Sequence, residues 1–503
     1  MKKIITDYLN ETAVKYPNKV AFATDKEEIN YDEFTNRSKS IGTYLAGLTT
    51  FKQPIAIYID KSINLALSMI GTIYSGGFYT VLDTKSPMDR INQIITTLDC
   101  KYIITDDKNM SKIVEEFTNV TVININEAKA TNINQELLDN VHERIIDTDT
   151  MYILFTSGST GVPKGTVLSH RAVISYVNWF IKAFDITSET TFGSQTPFYF
   201  SMSVSDVFST ILTGATFYII PKMYFSFPVK LIEFLEEKKV NTIYWVPSAL
   251  CILANLGALT TDNLKNLKKV LFAGEVMPTK QLNMWMDKVD AMYANLYGPT
   301  ETVDICTYYI VNRRLSNDES VPIGKPCDNC DVLIVKEDNT LAQDGEAGEL
   351  LVRGSFLASG YYKNKEKTNQ VFVQNPVNPD YNELVYKTGD IVKKNELGEI
   401  IYLSRKDYQI KHMGYRIELG EIESKISAID GIILCCSIYD EKEDKIILYY
   451  QTNSLEEDKL ISLIREKLPT YMVPNVYIKL DRMPYNANGK IDRKELKNKY
   501  LSK

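Results

Sequence analysis

Short apolar runs alternate with longer amphipathic stretches from Ile4 to about Lys222. Ile55 to Ile59, Tyr102 to Thr105, Val120 to Ile123 and Tyr152 to Phe155 are too short for helices and too apolar for loops, so they predict buried strands. A second series follows with Leu231 to Lys239, Thr242 to Val246, Val270 to Phe272 and the helix-like Lys280 to Asp287. This βαβ rhythm predicts an α/β architecture in which two parallel-type sheets are flanked by helices. Between Ser320 and Phe356 the segments shorten and Gly and Asp-Gly turns separate them. Val332 to Val335, Asp344-Gly345 and Glu349 to Arg353 predict a small antiparallel, β-barrel-like subdomain. After Ser404 comes a dense polar stretch, RKDYQIKHMGYRIELGEIE, and then about a hundred residues of mixed α+β pattern, enough for a small separate domain. The expected division is residues 1–404 and 405–503.

Composition narrows the classes. A chain of 503 residues exceeds one hydrophobic core, and its 44% hydrophobic and 24% charged content suits a water-soluble globular protein. The net charge of −7 comes from interspersed signs and argues against nucleic acid as a partner. The opening MKKIITDYLNETAVKYP lacks an unbroken apolar core, and no later run suits a membrane span, so a cytoplasmic location without membrane insertion is expected. Cys327 and Cys330 have zinc-knuckle spacing. No second Cys or His pair follows them, and His142, His170 and His412 are far apart, so a zinc site is not expected.

The run FTSGSTGVPKG, Phe155 to Gly165, carries the densest chemistry. Thr156, Ser157, Ser159 and Thr160 offer hydroxyls, Gly158, Gly161 and Gly165 let backbone amides face an anion, and Lys164 adds positive charge. Lys164 is followed by Gly165 and not by Ser or Thr opening a helix, which separates the loop from a P-loop NTPase. Taken alone the run also reads as a polar surface loop. Further polar clusters stand at Asn295-Leu296-Tyr297-Gly298-Pro299-Thr300-Glu301, Tyr386-Lys387-Thr388-Gly389-Asp390 and Asn488-Gly489-Lys490-Ile491-Asp492-Arg493. Each alone is compatible with an ordinary turn.

Together and in this order the clusters resemble the adenylate-forming superfamily of nonribosomal-peptide adenylation domains, D-alanine–carrier-protein ligases, acyl-CoA synthetases and luciferases. The resemblance extends over nearly the whole chain, through Ile29 to Phe34, Gly76 to Asp83, Gly348 to Leu350, Gly360 to Tyr362, Arg405 to Glu423 and Leu468 to Pro474. Ala273-Gly274-Glu275, Leu468 to Pro474 and Asn488 to Arg493 favour the amino-acid-activating branch. It implies ATP and Mg²⁺ as cofactors and an AMP-forming ligase that makes an acyl-adenylate, releases pyrophosphate and then forms a thioester. Lys490, Glu301, Thr156 and Lys164 would be catalytic, with Glu301 on the metal. Ser157, Gly158, Ser159, Thr160, Gly161, Gly274, Glu275, Asn295, Tyr297, Gly298, Thr300, Asp390 and Arg405 would bind nucleotide. Asp407 takes the place of a hinge acid about which the C-terminal domain turns between half-reactions, bringing in Lys411 to Gly414. Ser404 departs from the glycine usual before Arg405.

Motif-relative position gives a substrate pocket of Phe200, Ser201, Met202, Ser205, Tyr244, Leu271, Ala273, Leu296, Asp304 and Ile305. Amino-acid-activating members carry an aspartate where this chain has Ser201, so an α-ammonium would lack its usual counter-charge. Asp304 either meets an amino group or hydroxyl remote from the substrate carboxylate, or faces away into local backbone. The expectation is a freestanding enzyme that activates an aryl, hydroxy or non-α-amino acid and loads the phosphopantetheine thiol of a carrier protein in trans. D-Alanine or another amino acid as substrate, coenzyme A as acceptor, and an inactive nucleotide-binding scaffold are the alternatives.

Overall fold

A computed structural model describes residues 2–48, 51–158, 162–452, 455–485 and 491–502. The chain gathers into two compact units. One comprises Met1–Asp83, Thr97–Leu154 and Gly165–Lys406, and the other Thr84–Thr96, Phe155–Lys164 and Asp407–Lys503.

Two helix-flanked sheets dominate the first unit. In one, the strand order is Thr121–Asn124, Tyr102–Thr105, Pro54–Tyr58, Phe78–Val81, Thr150–Thr156 and Lys164–Ser169. Pro54–Tyr58 is buried at every position and pairs in parallel with both neighbours, which is why its sequence shows no alternation. The other sheet runs Lys325–Pro326, Thr307–Ile310, Met292–Tyr297, Lys269–Ala273, Thr242–Trp245, Thr191–Ser194, Thr216–Ile219, Val20–Ala23 and Glu28–Asn30. Its middle strands are parallel, and antiparallel strands close both edges. The carboxyl ends of Thr191–Ser194, Thr242–Trp245, Lys269–Ala273 and Met292–Tyr297 therefore point to one side. Loops leaving the carboxyl ends of parallel strands are where open α/β sheets build ligand sites.

An antiparallel sheet of Cys330–Val335, Gly348–Gly354, Leu384–Lys394 and Phe372–Gln374, with Ile400–Arg405 beside Leu384–Lys394, completes the unit. Within this sheet Cys330–Val335 and Gly348–Gly354 fall in the β-rich stretch read from the sequence between Ser320 and Phe356, and the other three strands follow that stretch. In its register Asp390 lies opposite Arg405, which makes an acid and a base direct cross-strand neighbours.

The second unit contains the hairpin Gln409–His412 and Tyr415–Glu418, and a sheet of Ile432–Asp440, Lys445–Thr452 and Val476–Lys479 with flanking helices. Lys445–Thr452 shows period-two burial on both faces. Ile446, Leu448 and Tyr450 pack with Ile422, Ile426 and Ile464 on one side, while Ile447 and Tyr449 pack with Cys436, Met483 and Leu496 on the other. Among the described residues no helix is long and apolar enough to cross a membrane.

Candidate functional site

The strand Met292–Tyr297 delivers the first cluster. Asn295 is fixed by its amide donating to the Pro322 carbonyl at 2.8 Å, and Tyr297 projects its hydroxyl onto Asp390 Oδ2. Arg405 Nη1 meets the other oxygen, Oδ1, at 2.7 Å. The Asp390 and Arg405 side chains are only 5% and 11% exposed, so this is a desolvated, charge-assisted pair. Burial, and then the Asp390 charge, push the Tyr297 phenol far above its ordinary pKa, so it remains a donor.

The chain then turns sharply. Gly298 lies against the returning backbone, where an added Cβ would stand 2.3 Å from the Asp304 carbonyl oxygen and 2.5 Å from the Ile305 Cα. No side chain fits there. Val303 adopts φ 68° and ψ −63°, and the Asp304 amide donates to the Thr302 carbonyl at 2.8 Å. That is a γ-turn of the rare positive-φ kind, strained by about 1–3 kcal/mol at a β-branched residue. This turn stands between two acids, Glu301 and Asp304, that serve separate clusters.

Glu301 is completely buried, and Tyr361 donates its hydroxyl to Oε1 at 2.5 Å. The Ala358 amide fixes the Glu301 carbonyl at 2.8 Å. A buried carboxylate is an oxygen donor of the kind hard cations take, and Glu301 could hold one.

Asp304, 2% exposed, accepts from four side-chain hydroxyls. Ser205 and Tyr244 each donate to Oδ2 at 2.9 Å, Tyr176 lies 3.1 Å from the same oxygen, and Ser201 donates to Oδ1 at 3.2 Å. Tyr176 also contacts Ser205 at 2.7 Å, so its single proton is shared. Burial raises the Asp304 pKa, and the four hydroxyls oppose the rise. Of the other pocket residues, Met202, Tyr244, Leu271, Ala273, Leu296 and Ile305 are buried, and Phe200 and Ser201 are partly exposed. Gly274 takes φ 93° at the end of its strand, and Glu275 accepts the Ser248 amide at 2.8 Å. Thr300 opens the short 3-10 turn that carries Glu301.

The phosphate-loop residues lie in the second unit. Thr156 Oγ1 is buried with no hydrogen-bond partner among the described residues. Ser157 donates to the Arg416 carbonyl, and the Gly158 amide to Glu421 Oε2 at 3.2 Å. Arg90 pairs with the other oxygen of Glu421. Lys164 is buried, and Asp407 accepts the Gln409 amide at 3.2 Å. Ser159, Thr160, Gly161 and Lys490 lie outside the described residues.

Sequence reading did not anticipate Tyr176 or Tyr361. Tyr361 falls within a quoted motif, and that was its only signal. Tyr176 reads as one more aromatic on the apolar face of the helix His170–Ala183.

Comparison with known proteins identifies the family. Residues 9–362 match the family model described as AMP-binding enzyme. The chain is 30% identical to zwittermicin A synthase ZmaJ of Bacillus cereus, over 99% of its own length and 95% of that protein's. It is 29% identical to the D-alanine--D-alanyl carrier protein ligase of Bacillus cytotoxicus, over 98% of each. Other relatives are larger synthases, of which the chain spans 44% and 45% in two cases. Among solved structures, the Vibrio cholerae adenylation domain AlmE with glycyl-adenosine-5'-phosphate superposes with a TM-score of 0.86 at 22% identity, covering 100% of this chain and 98% of that one.

Proposed function

Because the chain belongs to the AMP-binding enzyme family, we propose that it is a ligase that activates a carboxylic acid with ATP and passes the acyl group to a carrier-protein thiol. A carboxylate oxygen attacks the α-phosphorus, the bond to the β-phosphate oxygen breaks, and pyrophosphate leaves. A phosphopantetheine thiol then attacks the acyl carbon, and AMP departs with the oxygen that had come from the acid.

The Asp390 cluster carries the reading. Among the described residues Tyr297 donates to one of its oxygens and Arg405 to the other, and each oxygen retains acceptor capacity. A carboxylate so oriented suits a pair of neighbouring hydroxyls, as on the ribose of ATP, with the Tyr297 ring as a face for adenine. The buried Thr156 hydroxyl, without a hydrogen-bond partner among the described residues, suits a phosphate oxygen. Mg²⁺ held by Glu301 would offset triphosphate charge. Lys490, by its motif position, would stabilise charge developing between carboxylate and α-phosphate.

The substrate reading rests on Ser201 and Asp304. A neutral residue at 201 disfavours an ordinary α-amino acid, and a hydroxyl-rich pocket around one acid favours an aryl, hydroxy or non-α-amino acid. Likeness to the D-alanine--D-alanyl carrier protein ligase supports D-alanine as the second reading. ATP–pyrophosphate exchange over a panel of acids separates the two. Exchange with aryl, hydroxy or non-α-amino acids is expected, whereas robust exchange confined to D-alanine, glycine or ordinary L-amino acids would overturn the first reading. Transfer to a phosphopantetheinylated carrier and not to coenzyme A is the expected second step.

A further inference from the structure

The least explained group in the molecule is the Asp304 carboxylate. It is 2% exposed, and among the described residues the side chains that meet it are four neutral hydroxyls. Burying an anion without a counter-charge is costly unless hydrogen bonds and a cation complete it. Hydrogen bonds are supplied unevenly. Among the described residues Oδ2 is crowded by Ser205, Tyr244 and the shared Tyr176 proton, while Oδ1 has Ser201 alone at 3.2 Å. A carboxylate oxygen accepts about two hydrogen bonds, so Oδ1 keeps one acceptor position.

The cradle is rigid. The Tyr176 ring packs edge-on to Phe356 at 5.5 Å and 90° and lies 5.6 Å from Trp179, and Tyr244 lies 5.9 Å from Phe180. Both phenols sit in rings that cannot swing away without disturbing this aromatic wall. The arrangement therefore holds Oδ2 and leaves Oδ1 as the less occupied oxygen.

We propose that Asp304 Oδ1 binds an amino group of the substrate, and that this nitrogen is attached beyond the α-carbon. The inference rests on the reading that residues 200–205 and 304–305 line the pocket for the activated acid. Its direction follows from Ser201. An acid at that position would be the partner of an α-ammonium, and here the carboxylate is set back behind the serine hydroxyl by one hydrogen bond, about 3 Å. That distance is roughly two covalent bonds along a carbon chain. An ammonium on the β- or γ-carbon would bridge the gap and supply the missing cation. A hydroxyl would fill the acceptor position but leave the charge unbalanced.

The test is pyrophosphate exchange with matched acids: the 2-amino, 3-amino, 4-amino, 3-hydroxy and unsubstituted forms of one four-carbon skeleton and of one phenyl-bearing skeleton. The 3- or 4-amino form should exceed its hydroxy and unsubstituted counterparts by roughly tenfold or more in kcat/KM, because an unpaired buried polar group discriminates strongly. Asp304→Asn should erase that preference. Ser201→Asp combined with Asp304→Asn moves the carboxylate forward and should shift preference to the 2-amino acid, a gain that misfolding cannot mimic. Equal use of amino and hydroxy forms, preference for the 2-amino acid by the unaltered protein, or an amine preference that survives Asp304→Asn would each overturn the proposal while leaving adenylation intact. Exchange with none of the acids would remove both this inference and the adenylation reading on which it stands.

Discussion

Tyr297→Phe separates the two tasks assigned to one ring. The substitution keeps the aromatic face and deletes only the hydroxyl that donates to Asp390 Oδ2. Tyr297 is 6% exposed and Asp390 4%, so water cannot readily replace the lost donor. A hydrogen bond to a charged group contributes about 1.5–3 kcal/mol. Arg405 still holds Oδ1 at 2.7 Å, so the lower end applies, and the loss corresponds to roughly a tenfold change in an equilibrium constant. If Asp390 receives the ribose hydroxyls, the loss appears in KM for ATP with kcat little changed. The control is 2′,3′-dideoxy-ATP, which offers nothing for Asp390 to accept. The unaltered protein should prefer ATP to the dideoxy analogue, and Tyr297→Phe should shrink that preference by about the same tenfold factor. An unchanged ratio, whatever the absolute rates, would refute the ribose assignment and leave Tyr297 a structural tie.

Other expectations concern the frame around the site. Burial holds the His170 imidazole down at about 4, against the opposing pull of Asp149, Asp7 and Asp147, and its Nδ1 has no partner among the described residues. The unfolded chain takes up a proton that the folded one refuses, so this contribution is complete above about pH 6.5 and is lost as pH falls toward 4, up to about 3 kcal/mol. His170→Gln should flatten the fall in urea midpoint between pH 7 and 5 relative to the unaltered protein; identical slopes would contradict it. Gly298→Ala forces a methyl group against the Asp304 carbonyl oxygen and should destabilise by about 1–3 kcal/mol or more while lowering discrimination among acids. A variant with unchanged melting and selectivity would show that the turn relaxes freely. Glu421→Gln weakens the hold on the Gly158 amide, so KM for ATP should fall if that amide serves phosphate, and an unchanged KM would argue that it does not.

Much of this was legible before any coordinates. Apolar runs such as Thr242 to Val246 became strands because a fully buried parallel strand needs no alternation, and the Gly and Asp-Gly turns marked the antiparallel sheet. Motif order led to the Asp390 and Glu301 clusters because their residues lie within recognisable sequence motifs, although Tyr297, Asp390 and Arg405 sit on strands. What stayed hidden was long-range. Tyr176 reaches Asp304 across 128 positions and Tyr361 reaches Glu301 across 60, and neither helical periodicity nor turn chemistry encodes which buried phenol meets which acid. The strained turn at Val303 was also invisible, because a β-branched residue is among the least expected at positive φ. Ser201 and Asp304 stand out in the sequence as two pocket residues, and their hydrogen bond to each other is visible only in the structure.

The central claim is that an acid oxygen attacks the α-phosphorus of ATP. An acid labelled with ¹⁸O in its carboxylate, chosen by the exchange panel and incubated with ATP, Mg²⁺ and a carrier-protein thiol, tests it directly. The account predicts one labelled oxygen in the AMP formed, with unlabelled pyrophosphate. Label in inorganic phosphate alongside ADP, or AMP without label, would contradict it.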